Sequence, residues 1–209
     1  MVRVWVSILD VEGDVNVYLK TVQNAYGVHI DVIDGKFVRG KKSGRNVWVK
    51  DVKKIHTSLH KHVHLMIRNP ERYLAAFIAA GAGTISFHIE ATKYPQKVID
   101  LIRKKRKKVC IAIDPETPLS RIKPWLNQTD QVLVMTVHPG KGGKRFLRGM
   151  LSKIKKLRKM FKGPIEVDGG INPQTGRLAI RAGGTDLVVG QYIVHHAAPR
   201  KAVMELRKL

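Results

Sequence analysis

The chain has 209 residues, 39 Lys and Arg against 16 Asp and Glu, and a formal net charge of +23. That length suits a single domain over residues 1–209, with a core that needs no staples, and the lone Cys110 excludes an internal disulfide. No apolar run is long enough to span a bilayer and residues 1–7 lack the features of a secretion signal, so a cytoplasmic protein is expected, with no membrane contact and a strong attraction for anions.

In chain order, residues 3–9 read as a strand with Ser7 near its end, and 12–25 as a helix. Residues 27–33 read as a second strand, rich in Val and Ile and ended by glycine. Side chains alternate across a strand. His29, Asp31 and Ile33 therefore share one face, and Val28, Ile30 and Val32 the other. The apolar face can pack on a helix, so the face with an imidazole and a carboxylate looks into something polar. A glycine- and lysine-rich mobile loop is expected at 35–44 and a short helix at 51–60. A strand over 62–67 follows, carrying His64, and then a helix over 72–80 with Asn69 as its N-cap and Pro70 at its first position.

The unit then repeats. Strands are predicted at 84–90, 109–114, 131–137, 165–168 and 185–190, and helices at 95–107, 119–127, 146–161, 174–182 and 197–208. Gly183-Gly184 is a glycine stop for the helix before it. Cys110 falls inside a strand and reads as buried filler. Strands alternating with helices imply a parallel sheet. Eight such units closing on themselves make the (β/α)8 TIM barrel of the α/β class, with its active site at the C-terminal strand ends. An open doubly wound sheet is the alternative, but no GxGxxG follows the first strand.

Placed on those strand ends, Ser7, His29, Asp31, His64 and Asp168 gather at one mouth. Two carboxylates that close repel, and a divalent cation removes the conflict. Two imidazoles and two carboxylates (His29, Asp31, His64, Asp168) suit Zn²⁺ first, and also Fe²⁺, Mn²⁺ or Co²⁺. A second cluster suits phosphate. Gly140, Lys141, Gly142, Gly143 and Lys144 follow strand six, and Gly190-Gln191 ends strand eight. Glycines let backbone N–H groups approach an anion, and loops at this barrel face often hold phosphate.

These residues carry a family resemblance. His29-Ile30-Asp31-Val32-Ile33-Asp34-Gly35, Val63-His64-Leu65-Met66-Ile67, Phe87-His88-Ile89-Glu90-Ala91, Met135-Thr136-Val137-His138-Pro139-Gly140 and Val167-Asp168-Gly169-Gly170-Ile171 run nearly end to end. The chain resembles the ribulose-phosphate 3-epimerases. The resemblance implies a barrel of the ribulose-phosphate-binding type and an isomerase of pentose phosphate metabolism that interconverts D-ribulose 5-phosphate and D-xylulose 5-phosphate. It implies His29, Asp31, His64 and Asp168 as metal ligands, with Asp31 and Asp168 as the catalytic acid–base pair. Substrate is then expected against Ser7, His64, Met66, Met135, Gly140, Lys141, Gly142, Gly143, Gly169, Gly170, Gly190 and Gln191. A homo-oligomer acting on a phosphorylated ketose is expected.

The chain departs from the family pattern at five places. Ile33 stands at a usual methionine, His62 at a usual aspartate, and Lys141, Lys144 and Gln191 at usual Phe, Gln and Ser. His62 reads as core. A 3-epimerase of a hexulose 6-phosphate would use the same metal cluster and is the nearest alternative. A related decarboxylase or hexulose-phosphate synthase would show Asp-x-Lys-x-x-Asp on strand two, where Ile33 occupies the lysine position. The basic runs at 103–108 and 153–162 also raise a nucleic-acid-binding barrel. The first run holds no aromatic residue to stack bases, so nucleic acid is expected only through non-specific charge attraction.

Overall fold

In a computed structural model, which describes residues 1–38, 47–140 and 143–209, eight parallel strands close into a barrel in sequence order. They are β1 Arg3–Ser7, β2 Gly27–Ile33, β3 His60–Met66, β4 Thr84–His88, β5 Lys108–Ile113, β6 Gln131–Met135, β7 Ile165–Asp168 and β8 Asp186–Val189. The helices between and after them are α1 Val15–Thr21, α2 Val49–Lys53, α3 Leu74–Ala79, α4 Pro95–Lys104, α5 Met150–Met160, α6 Pro173–Arg181, α7 Gln191–Val194 and α8 Pro199–Arg207. Among the described residues, no helix is long and apolar enough to cross a membrane.

The alternation on β2 sets the layers. Val28, Ile30 and Val32 are buried in the core between barrel and helices, and each such side chain is worth roughly 1.5–3 kcal/mol on burial. The inward positions form a separate, smaller apolar cluster of Trp5, Cys110, Ala112, Leu133, Met135, Val137 and Val188. Cys110 is buried there as filler. Trp5 plugs the barrel floor, its Nε1 donating to Asp186 Oδ1 at 2.9 Å while Arg3 reaches Asp186 Oδ2 at 2.7 Å. Gly27 makes room for this plug: a Cβ there would lie 2.2 Å from the Trp5 ring.

Several elements differ from the sequence reading. The segment expected as a helix over 119–127 is two 3₁₀ turns, Leu119–Arg121 and Lys123–Gln128. Pro124, the sixth residue of that segment, lacks the N–H an α-helix needs there. The helix expected from 72 is a 3₁₀ turn, Pro70–Arg72, followed by α3. Asn69 has φ 53° and caps with its backbone, its carbonyl accepting from Arg72 N at 3.2 Å. The helix expected from 12 begins at Val15, because Asp14 caps it by accepting from Asn16 N at 2.7 Å. The segment expected as helix to residue 60 ends at Lys53, and β3 already begins at His60, stacked on Tyr26. The long basic helix starts at Met150 rather than 146, since Leu147 N instead donates to Thr136 O at 2.8 Å. The short α7 was not expected. Of the loop at 35–44, residues 39–44 lie outside the described residues.

Candidate active site

Register carries the polar side chains to one mouth. Ser7 pairs with His29, Asp31 with His64, and Met135 with Asp168 along neighbouring strands. His29 and His64 are fully buried, Asp31 nearly so, and Asp168 sits at the edge. His64 Nδ1 lies 3.0 Å from Asp31 Oδ1, and His29 Nε2 lies 3.3 Å from the same oxygen. The two ring nitrogens are 3.3 Å apart. Asp168 Oδ2 lies 3.8 Å from His29 Nε2 and 3.9 Å from His64 Nδ1. Ser7 Oγ donates to the outer oxygen of Asp31 at 3.0 Å, which leaves Oδ1 toward the imidazoles.

This donor set fits a divalent cation. Tetrahedral donors around an ion at 2.0–2.2 Å stand roughly 3.4 Å apart, close to the separations here. Four donor atoms, one each from His29, Asp31, His64 and Asp168, lie within 4.8 Å of one another. Two ionised carboxylates that close, at an effective dielectric near 20, repel by about 3–4 kcal/mol. Their protonation splits accordingly. Burial pushes Asp168 up to about 7, with the Asp31 charge adding to it. Asp31 resists burial and is held well below the carboxylate range by His29 and His64. Burial drives His64 down to about 3, while His29, despite burial, is raised by Asp31 and Glu166. A cation between the four lets both carboxylates ionise.

Behind this shell stands a second one that the sequence reading did not assign. Glu166, fully buried, places one oxygen 3.2 Å from His29 Nδ1 and the other 3.1 Å from His62 Nδ1. It also accepts from Gln131. Burial raises Glu166, but His62 and His29 outweigh it and hold it near 2. His62 is therefore core, as expected, but a core residue that faces a carboxylate. The signal was present, since Glu166 shares the face of Asp168 on β7. His88 likewise lies inward on β4 against His64, with Nε2 to Nε2 at 2.8 Å.

Above the cluster opens a cavity of about 610 Å³. Ser7, Asp31, Met66, Met135, Asp168, Gly169 and Gly170 line its deep end, and Gly140, Gly143, Lys144, Gly190 and Gln191 its outer end. Lys141 and Gly142 lie outside the described residues. Thr136 Oγ1 pins the turn after β7 by donating to the carbonyls of Asp168 and Gly169 at 2.9 and 2.7 Å. Gly143, at φ +71°, lies against the Gln191 amide, where a Cβ would come within 2.6 Å. Lys144 Nζ donates to the His138 carbonyl at 2.8 Å, so its charge stays over the loop. Arg145 and Arg148 add two cations to this end. Asp10 opposes them there, its carboxyl raised chiefly by burial. His195, near the final helix, is exposed as expected.

Residues 7–194 match the family described as ribulose-phosphate 3 epimerase. The ribulose-phosphate 3-epimerase of Bacillus subtilis is 40% identical over 186 residues, covering 86% of this chain and 85% of that protein. The chain belongs to this family. The Methanocaldococcus jannaschii ribulose-phosphate 3-epimerase is 37% identical and covers 100% of this chain and 91% of its own. A cytoplasmic isoform from Oryza sativa is 37% identical over 87% of this chain and 81% of its own. Among solved structures, 3-hexulose-6-phosphate synthase from Salmonella typhimurium superposes with a TM-score of 0.74 over 99% of this chain and 97% of its own. At 19% identity that likeness is one of fold alone.

Proposed function

We propose that this epimerase interconverts D-ribulose 5-phosphate and D-xylulose 5-phosphate within pentose phosphate metabolism, by moving a proton at C3. The observation that carries the reading is the convergence of Asp31 and Asp168 on one pair of imidazoles. β2 and β7 are separated round the barrel by β1 and β8, so the two carboxylates reach the mouth from different sides. Epimerisation α to a carbonyl needs that arrangement. One carboxylate removes the C3 proton, and the other protonates the enediolate from the opposite face. In the reverse direction the roles exchange. Of the two carboxylates, Asp168 is the one that burial makes readier to hold a proton, and Asp31 the one its imidazoles keep ionised. Ser7 orients Asp31 for its share, while Met66 and Met135 keep water from the reacting carbon.

His29, Asp31, His64 and Asp168 would hold the cation. When bound, it supplies Lewis-acid stabilisation of the negative charge that develops on the substrate oxygens, an effect of several kcal/mol. Zn²⁺ suits this donor set first, with Fe²⁺, Mn²⁺ and Co²⁺ next, and elemental analysis distinguishes them. The phosphate is assigned to Gly140, Gly143, Gly169, Gly170, Gly190 and Gln191, with the loop lysines adding charge. A cytoplasmic site of action is supported by the free Cys110 and by the cytoplasmic rice relative. A coupled assay with ribulose 5-phosphate, run beside hexulose 6-phosphates, tests the substrate. Turnover of the pentulose alone, or far faster than the hexuloses, is expected; turnover of only a hexulose phosphate would overturn it.

A further inference from the structure

The two imidazoles of the cluster are backed differently. His29 turns Nε2 to the mouth and sets Nδ1 against the Glu166 carboxylate at 3.2 Å. His64 turns Nδ1 to the mouth, and its Nε2 meets not a carboxylate but Nε2 of His88, at 2.8 Å. The two rings meet tip to tip in nearly one plane, with centroids 5.0 Å apart and planes at 19°. His88 is fully buried. Its Nδ1 lies 3.0 Å from Asp114 Oδ1 and 3.5 Å from Glu90 Oε2. Glu90 and the turn that carries Asp114 are fixed from outside. The other Glu90 oxygen accepts from Asp114 N at 3.0 Å and from Thr117 Oγ1. Lys153 Nζ ties the same turn by donating to the carbonyls of Asp114, Pro115 and Thr117.

A neutral imidazole carries one N–H and one lone pair. A nitrogen–nitrogen contact of hydrogen-bond length needs one hydrogen between the two rings. If His64 offers its Nδ1 lone pair to a cation, its hydrogen sits on Nε2 and points at His88. His88, which Asp114 and Glu90 favour in its protonated form while the cluster is empty, must then shed its Nε2 hydrogen and accept, and its remaining hydrogen sits on Nδ1, the nitrogen that faces two carboxylates. Each ring sets the tautomer of the next. The opposite polarity puts hydrogen on His64 Nδ1, against Asp31, and ends its use as a ligand. The trio His88, Glu90 and Asp114 also has the makings of a cation site. A cation on His88 Nδ1 would force that opposite polarity, so with neutral rings the two sites compete through one hydrogen bond.

We propose that His88, anchored by Asp114 and Glu90, is a positioning residue that locks His64 in the tautomer whose Nδ1 can hold the cation. The inference rests on the reading of His64 as a ligand. Outer partners of ligating histidines commonly set ring orientation and basicity. What is particular here is that a second imidazole transmits the carboxylate's preference.

The test uses Co²⁺, whose visible absorption reports ligation, with the full-length protein and its His88→Gln, His88→Leu and His64→Ala variants. The Gln carbonyl can accept from His64 Nε2–H, and Leu, of similar size, cannot. One Co²⁺ per chain is expected in the parent. His88→Leu should weaken binding ~10–100-fold, and His88→Gln should restore most of it. Unchanged affinity in His88→Leu, with binding lost in His64→Ala, overturns this inference alone. Unchanged affinity in His64→Ala overturns the ligand reading as well. ¹⁵N-histidine NMR of the Zn²⁺-loaded parent reads the tautomers without any substitution. Hydrogen on His64 Nε2 and His88 Nδ1 is expected, and hydrogen on His88 Nε2 would overturn the proposal. So would two Co²⁺ per chain with the second lost in Asp114→Asn.

Discussion

The two ends of the cavity are built by different means. At the deep end, each polar side chain sits on a strand and is placed by register: Ser7 beside His29, Asp31 beside His64. Each is held again from behind, Asp31 by Ser7 and His29 by Glu166. At the outer end, Gly140, Gly143, Lys144 and Gln191 come from loops or from the start of the four-residue α7. There Lys144 is committed to a neighbouring carbonyl, and the Asp10 carboxylate stands among the cations. The lesson is that the reaction type is written into the ladder, whereas recognition of the far end of the substrate is written into loops. Of the five departures from the family pattern read in the sequence, Lys144 and Gln191 fall at the outer end, where the ladder does not enforce geometry.

The contrast can be broken most forcefully at the deep end. Asp31→Asn and Asp168→Asn should each lower kcat by ~10²–10⁴-fold in both directions, the usual worth of a positioned acid or base. Metal content measured in each variant separates lost proton transfer from a lost ligand. Activity near the parent's in either would move the chemistry elsewhere. One step back, Glu166→Gln should weaken Zn²⁺ binding ~10–100-fold, read by competition with a chromogenic chelator. Gln keeps an acceptor for His29 but removes the charge behind it. An unchanged affinity would mean that His29 is oriented by packing alone.

Acidity sharpens the same end. Asp168 is raised to about 7 in the cation-free cluster, so below that pH it carries a proton that a cation must displace. Metal affinity should therefore fall as the pH drops through 7, by ~tenfold per unit for the Asp168 proton alone and more steeply where His29, whose ring is also raised, must free its Nε2 to ligate. Equilibrium dialysis across pH 5.5 to 8.5 checks the sign, and affinity that rises with acid would contradict it. The smallest effect is expected at the outer end. Lys144→Ala should raise KM a few-fold at low salt and leave kcat nearly unchanged, because binding far from C3 is mostly uniform between ground and transition states. A fall in kcat without a change in KM would show that the loop also shapes the deep end.

Much of the barrel was legible in the sequence because a strand's two-residue period is local. The alternation in His29-Ile30-Asp31-Val32 identifies the inward face, and β2 and β7 run over the residues predicted for them. What was not legible depends on distances across the barrel or on competing local chemistry. Glu166 was in plain view two residues before Asp168, but nothing in β7 alone says that it reaches His29 and His62. His88 meets His64 only because β3 and β4 pair with His64 beside Ser86, leaving His88 higher on the next strand. The helix expected at 119–127 was lost to Pro124 in its interior, and the start of α5 to a hydrogen bond from Leu147 back to Thr136. Lys141 and Gly142 lie outside the described residues, so the outer end still rests on its glycines and Lys144.

The claim at the centre is that two carboxylates exchange the hydrogen on one carbon. Turnover of ribulose 5-phosphate in D₂O, followed by NMR of the xylulose 5-phosphate formed, tests it directly. A proton taken by one aspartate and a solvent-derived deuteron given by the other predict deuterium at C3 of the product and at no other carbon. Product that keeps its original C3 hydrogen, or that carries label at C1, would contradict the account.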